Sequence, residues 1–174
     1  MAAYLTIPIL EEFIRRVEED PRNESAVKAM TSGILTYYFT IENGFIVSPK
    51  STGSLSTGFE YIIRHIQSDS LAERKIIDHT VVRLEVDDSL QGCVSRLQLS
   101  IRDRNNGMGS CWAILVCAHM FYFYEYRGMG PENECLVPWA PPGRVQEPDG
   151  FHVRRDSVQI EWMLRYIAEN ILAR

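Results

Sequence analysis

A nearly unbroken apolar run, Cys111–Cys117, is the feature that most constrains the fold of this chain. Such a run is typical of a strand that is buried on both faces of a sheet. Ala118 and His119 then make a short connection to the aromatic stretch Met120–Tyr126. We interpret the two stretches as a β-hairpin, which places a buried sheet at the centre of the expected fold.

Four other stretches repeat their apolar residues at helical spacing. The first of them follows Pro8, a residue that suits a first helical turn, and it ends before Pro21. The predicted helices run from about Pro8 to Glu19, from about Ser25 to Phe39, from about Ser89 to Arg102, and from about Asp156 towards the C-terminus.

Three further stretches have the composition of strands: Phe45–Val47, Phe59–Ile66 and Ile76–Val86, the last most clearly from Thr80 onwards. The order of elements is therefore two helices, three strands, a helix, the hairpin and a last helix. This order predicts one α/β or α+β domain over residues 1–174, with a central mixed sheet of four or five strands flanked by helices.

Two regions are expected to lie outside this central arrangement. Residues 1–24 are predicted to form an N-terminal helical extension, and residues 127–150, rich in proline and glycine, a long irregular loop. The strand runs and the helix stripes must meet in the core, so nine apolar residues are expected to be buried: Ile62, Val82, Leu84, Leu97, Ile114, Leu115, Val116, Ile160 and Leu164.

The composition limits the classes of function. The formal net charge is −5, which disfavours indiscriminate binding to duplex nucleic acid. No apolar run approaches the roughly 18 residues of a membrane helix, and the N-terminus lacks the basic start of a secretory signal. We therefore expect an intracellular protein, in the nucleus or the cytoplasm. Because no secretory signal is evident, the four cysteines are expected to be reduced. None of their spacings matches a zinc site.

Two carboxylates lie within the predicted strands, Glu60 in the second and Glu85 in the third. If these strands are neighbours, the two side chains could form an oxygen-rich magnesium site. The alternative is that both carboxylates face water on an open side of the sheet, because burial of an unpaired charge is costly. The spacing alone favours this alternative.

The order of elements and five short motifs resemble the PD-(D/E)XK nuclease-like superfamily, which has a restriction-endonuclease-like fold. Within it, the closest resemblance is to the diverged, uncharacterised members common in filamentous fungi. The resemblance covers roughly residues 25–172. The motifs are GFEYIIRH at 58–65, VVRLEVD at 81–87, LQL at 97–99, WAILV at 112–116 and FYFYEY at 121–126.

This resemblance implies roles for particular residues. Glu60 takes the place of the first metal-binding acid and Glu85 that of the second, with Gln98 at a polar position that often faces the site. Asp87 stands where active members have a lysine, so the charge is inverted where a cation should stabilise the transition state. Arg83 or Arg64 could replace that lysine, or each could be a plain cross-strand partner.

The resemblance therefore implies a degenerate nuclease-fold binding or assembly module, a pseudoenzyme with no cofactor. The alternative is a Mg²⁺-dependent endonuclease that uses Glu60, Glu85 and Asp87, with Glu60 and Glu85 as the metal ligands.

We expect the module to act through a protein partner, slightly favoured, or through nucleic acid. Trp139, in a proline-rich stretch, is either an anchor for a protein partner or a residue that folds back over the sheet. Nucleic acid would contact arginines of the less acidic half of the chain: Arg96, Arg102, Arg104, Arg154 and Arg155.

Overall fold

The computed structural model describes residues 1–50, 58–68, 73–86, 89–105, 109–128, 135–143 and 150–172. Asp87, predicted to stand at the lysine position, lies outside the described residues, as does the side chain of Arg104. Among the described residues are four α-helices: α1 (Pro8–Glu19), α2 (Glu24–Tyr38), α3 (Leu90–Asn105) and α4 (Ser157–Glu169). The strands are β1 (Phe45–Lys50), β2 (Phe59–Ser68), β3 (Arg74–Glu85), β4 (Cys111–Cys117), β5 (Met120–Tyr126), β6 (Leu136–Pro138) and β7 (Phe151–His152).

The strands form one mixed sheet in the order β1-β2-β3-β4-β5-β6, and β7 also pairs with β5. β3 and β4 are parallel, whereas the other neighbours are antiparallel. The parallel pair is joined through α3, as a crossover requires. The predicted fold class is confirmed, but within the described residues the sheet has seven strands and not four or five. The additional strands, β6 and β7, are too short to leave a pattern in the sequence, and β6 lies inside the segment predicted to be irregular.

Helices cover the sheet on both sides and make two apolar cores. α1, α2 and α4 pack on one face against a large cluster that includes Ile114 and Val116, and α3 packs on the other against a cluster that includes Leu115. Neighbouring residues of β4 therefore enter different cores, which explains its unbroken apolar run. All nine predicted core residues are buried. None of the described helices is long and apolar enough to cross a membrane.

The paired strands β2 and β3 extend further than the sequence pattern predicts. The prediction for β3 begins most clearly at Thr80, whereas the strand begins at Arg74. The first half of β3 carries exposed polar residues among its apolar ones, so its pattern is weak. Within this pair the register shifts, since Ile63 lies opposite Thr80 and Arg64 lies opposite Asp78.

This shift is a β-bulge in which His79 is the extra residue. The His79 ring is buried against Phe39, at the end of α2, and Phe45, at the start of β1. Its Nδ1 lies 2.8 Å from the hydroxyl oxygen of Thr80. The bulge therefore places an imidazole inside the larger core.

Candidate functional site

The two carboxylates predicted to bind metal lie on neighbouring strands and on the same face of the sheet. Glu60 lies opposite Arg83 in the antiparallel register of β2 and β3, and Glu85 shares a face with Arg83 because side chains two residues apart in a strand point the same way. The exposed fractions are 1% for Glu60, 2% for Arg83 and 5% for Glu85. The alternative in which both carboxylates face water is therefore wrong.

The Arg83 guanidinium lies between the two carboxylates and donates to both. Its Nη1 lies 2.8 Å from Oε1 of Glu60, and its Nε lies 2.7 Å from Oε1 of Glu85. Arg96 of α3 adds a second guanidinium, with its Nε 2.9 Å from the same Glu85 oxygen. Two carboxylates and two guanidiniums therefore form one ion-pair network, and Arg83 is both a cross-strand partner and the cation nearest the acids.

The backbone at Gly58 lies directly against this network. Gly58 has a φ of +107°, a conformation that side-chain-bearing residues rarely adopt. A methyl group added there would lie 2.9 Å from Nη2 of Arg83 and 3.0 Å from Oε1 of Glu85. Glycine at this position therefore lets the chain close over the ion pairs.

The residues described here do not fit a magnesium ion. Mg²⁺ needs near-octahedral oxygen ligands at about 2.0–2.1 Å and usually keeps several waters. Oε1 of Glu85 already accepts from Arg83 and Arg96, and the two guanidiniums would repel a divalent cation placed beside them. Nowhere in the described part of the chain do three or more His, Cys, Asp or Glu side chains form a group that could hold a metal.

A neutral thiol, that of Cys117, lies beside the network. Cys117 lies opposite Glu85 in the parallel register of β3 and β4. Burial raises the pKa of the Cys117 thiol well above its usual range, and the nearby Cys93 and Glu85 raise it further. Sγ of Cys93 lies 3.5 Å from Nη2 of Arg96. No disulfide joins the four cysteines, all of which the structure describes, and the Cys117 thiol contributes packing and not an activated nucleophile.

Gln98 lies on the other flank of α3 from Arg96. Cys93, Leu97 and Ile101 form the buried stripe of this helix. Residues two apart in an α-helix are separated by about 200° around its axis, so Arg96 and Gln98 lie on opposite sides of that stripe. Arg96 is the residue that reaches Glu85. It was predicted to bind nucleic acid, and its inward contact could be found only once the helix phase was known.

The described arginines that were predicted to bind nucleic acid do not form one surface. Arg102 is exposed on α3, whereas Arg154 pairs with Glu11 and Glu18 of α1, at 2.7 and 2.9 Å. Arg155 is exposed and lies 3.5 Å from Asp156. Because α1 and α3 pack on opposite faces of the sheet, these residues are divided between two sides of the molecule.

Trp139 folds back over the sheet. Its ring centroid lies 5.0 Å from that of Trp112, 5.8 Å from that of Trp162 and 4.9 Å from that of Tyr166. We call these four residues the aromatic cluster. Trp162 and Tyr166, four residues apart on α4, are its exposed members. The sequence analysis missed both, although their helical spacing outside the apolar stripe of α4 was a visible signal.

Comparisons with known proteins return no relative: no protein-family model, no curated protein and no solved structure matches this chain. Arguments about its function therefore rest on the arrangement of its own residues.

Proposed function

We propose that this chain is a degenerate nuclease-like binding or assembly module that acts through a protein partner and has no catalytic activity. The observation that carries this proposal is the Arg83 guanidinium between Glu60 and Glu85. The order of elements supports the nuclease-like part of the proposal. Two helices precede three antiparallel strands, and a helical crossover then leads to a hairpin whose first strand is parallel to the third.

The chemistry of phosphodiester hydrolysis explains why this arrangement opposes activity. The reaction needs a metal-held water and a cation that stabilises the charge developing at phosphorus. Here the two carboxylates neutralise Arg83, so the acids are not available to a metal and the cation is not available to a phosphate. A metal ion could enter only if Arg83 left a buried pair, and breaking such a pair costs about 3–5 kcal/mol.

The surface residues favour a protein partner over nucleic acid. The arginines predicted to contact phosphates lie on two sides of the sheet, and Arg96 and Arg154 are engaged in ion pairs with carboxylates. The aromatic cluster, by contrast, presents Trp162 and Tyr166 at the surface. Aromatic side chains of this kind are enriched among the residues that dominate protein–protein binding energy.

A plasmid-nicking assay tests the catalytic part of the proposal. The purified protein is incubated with supercoiled DNA and either Mg²⁺ or Mn²⁺, beside the Glu85→Ala variant. We expect no metal-dependent nicking by either protein. Metal-dependent cleavage by the unmodified protein that Glu85→Ala abolishes would establish the alternative, a Mg²⁺-dependent endonuclease.

The kind of partner is tested by fluorescence anisotropy with labelled single-stranded and duplex oligonucleotides. We expect no binding across salt concentrations from about 50 to about 200 mM, a range over which phosphate contacts weaken strongly. Binding that falls steeply with salt and is weakened by Arg102→Ala would instead make nucleic acid the partner.

A further inference from the structure

On one face of the sheet, none of the helices in the described part of the chain covers the outer part that β1, the end of β2 and the first half of β3 form. β4 pairs with β3 only from Thr80 to Glu85, and the core under α3 includes β3 only from Val81. Among the residues that the structure describes, the first half of β3 and the end of β2 therefore extend beyond β4 and α3. Phe45 and His65, whose rings lie 4.3 Å apart, point towards the face of the sheet that carries the larger core. Their sequence neighbours therefore point to the opposite, uncovered side.

We call this uncovered side the open sheet face. It consists of Ile46 of β1, Arg64 and Ile66 of β2, and Ile76 and Asp78 of β3. The three isoleucines are 53%, 40% and 67% exposed, in that order. Nε of Arg64 lies 3.0 Å from Oδ1 of Asp78, and both side chains remain 39% exposed. Exposed large apolar side chains grouped on one surface of a sheet are typical of an interaction site.

The arrangement of charges on this face is complementary to itself. Arg64 lies opposite Asp78 and Ile66 lies opposite Ile76 in the register of β2 and β3. A two-fold axis that runs parallel to these strands, between them, would place Arg64 of one copy over Asp78 of a second copy. The same axis would place each Ile66 over the other copy's Ile76. A partner of uniform charge would instead face a like charge at one of the two ionic residues.

We propose that the open sheet face is the interface of a homodimer of this chain. Two copies pack these faces against each other as aligned sheets, which lie about 10 Å apart in sheet-on-sheet contacts. The contact is isologous, so every pair across it occurs twice. This proposal does not depend on the proposed function, because no residue of the ion-pair network around Arg83 takes part.

Sedimentation equilibrium tests the proposal on the full chain, from micromolar to near-millimolar concentration. We expect a concentration-dependent dimer. Arg64→Asp and Asp78→Arg should each weaken self-association by at least about tenfold, because each variant places like charges opposite each other at both symmetric contacts. Circular dichroism of each variant checks that the fold is intact. We expect an intact fold because an exposed ion pair contributes little to stability.

Mixing the two charge variants makes the decisive measurement. In the mixed dimer the introduced aspartate of one copy faces the introduced arginine of the other, and the remaining charges are also opposite, so association should recover. Ile76→Lys should weaken the dimer in every combination, whereas Ile9→Lys, at an exposed position on α1, should leave it unchanged. A monomer at all concentrations, or a dimer that ignores the charge variants or fails to recover in the mixture, would overturn the proposal.

Discussion

A buried guanidinium and a bound metal ion are two ways to neutralise a pair of adjacent carboxylates. In this chain Arg83 takes that place between Glu60 and Glu85, and Arg96 supplies the second positive charge. Burial removes the carboxylates and Arg83 from water, so the loss of one partner leaves an unpaired buried charge and destabilises the fold. The role of the site is therefore set by which cation the carboxylates hold.

Replacement of Arg83 by an uncharged side chain should show how much the complete network contributes to stability. In Arg83→Met the two buried carboxylates lose their shared cation, and the free energy of unfolding should fall by about 3–5 kcal/mol. The matched control is Arg127→Met, which breaks an ion pair to Glu125 at the same two-residue spacing but at the surface. The control should cost about 1 kcal/mol or less, as measured by urea unfolding.

A divalent cation should partly restore the Arg83→Met variant. Without the guanidinium the two carboxylates can share a metal ion, and a ligand that binds only the folded state raises its stability. We expect Mn²⁺ to increase the melting temperature of Arg83→Met and to leave that of the unmodified protein unchanged. Equal stability of Arg83→Met and Arg127→Met would show that the buried network contributes little.

At the scale of elements, the hairpin between β4 and β5 contains a strained turn. Ala118 has a φ of 54°, and it is the only described residue other than glycine with a positive φ. Its N–H donates to the carbonyl of Glu85 at 3.1 Å, so the turn also fixes the end of β3 beside the ion-pair network. This position requires a conformation that costs an L-residue roughly 1–2 kcal/mol.

Ala118→Gly should therefore stabilise the protein. Glycine adopts the left-handed conformation without strain, although it loses a methyl group that packs against the larger core. We expect the free energy of unfolding to rise by about 0.5–1 kcal/mol, from thermal or urea unfolding of the two proteins. A decrease would mean that the packing of the Ala118 methyl group outweighs the relief of strain.

The elements differ in how well the sequence predicts them. α1 and the hairpin strands β4 and β5 match their predictions because an apolar stripe or an apolar run, bounded by Pro8, Ala118 or His119, defines them locally. The first half of β3 is stabilised by pairing with β2, which no local pattern records. Tertiary pairing also accounts for the short strands β6 and β7.

In the candidate site, too, some features follow from the local sequence and others depend on the folded structure. Its two acids could be predicted as neighbours from their strands, because adjacent antiparallel strands place side chains together on one face. The position of Arg83 depends on the register of β2 and β3, and a slip of one residue would move its side chain to the other face. Trp139 lies far along the chain from Trp112 and Trp162, so its packing depends on the folded structure.

On the scale of the whole molecule, the larger core contains an imidazole that must remain neutral. Burial, and to a smaller extent the neighbouring His65, lower the pKa of His79 from its ordinary value to about 4. The unfolded chain therefore binds a proton at this residue more readily than the folded protein does. The stability associated with His79 is complete above about pH 6.5 and is lost as the pH falls towards 4.

This shift predicts how stability depends on pH. Between about pH 7 and about pH 5 the free energy of unfolding should fall by about 2 kcal/mol on account of His79. His79→Leu, which cannot take up a proton, should show a shallower dependence over the same range. Parallel curves for the two proteins, from urea unfolding at each pH, would mean that other groups cause the loss.

The packing of the aromatic cluster determines what the intrinsic fluorescence of this protein reports. All three tryptophans of the chain, Trp112, Trp139 and Trp162, belong to that cluster, with Trp139 in contact with both of the others. Excitation energy passes between indoles at such separations, so the emission spectrum comes from one corner of the molecule, where β4, β6 and α4 meet. The tryptophans give no direct signal from the hairpin of β2 and β3 or from the open sheet face. Quenching of their emission is a local reporter of anything that binds over α4.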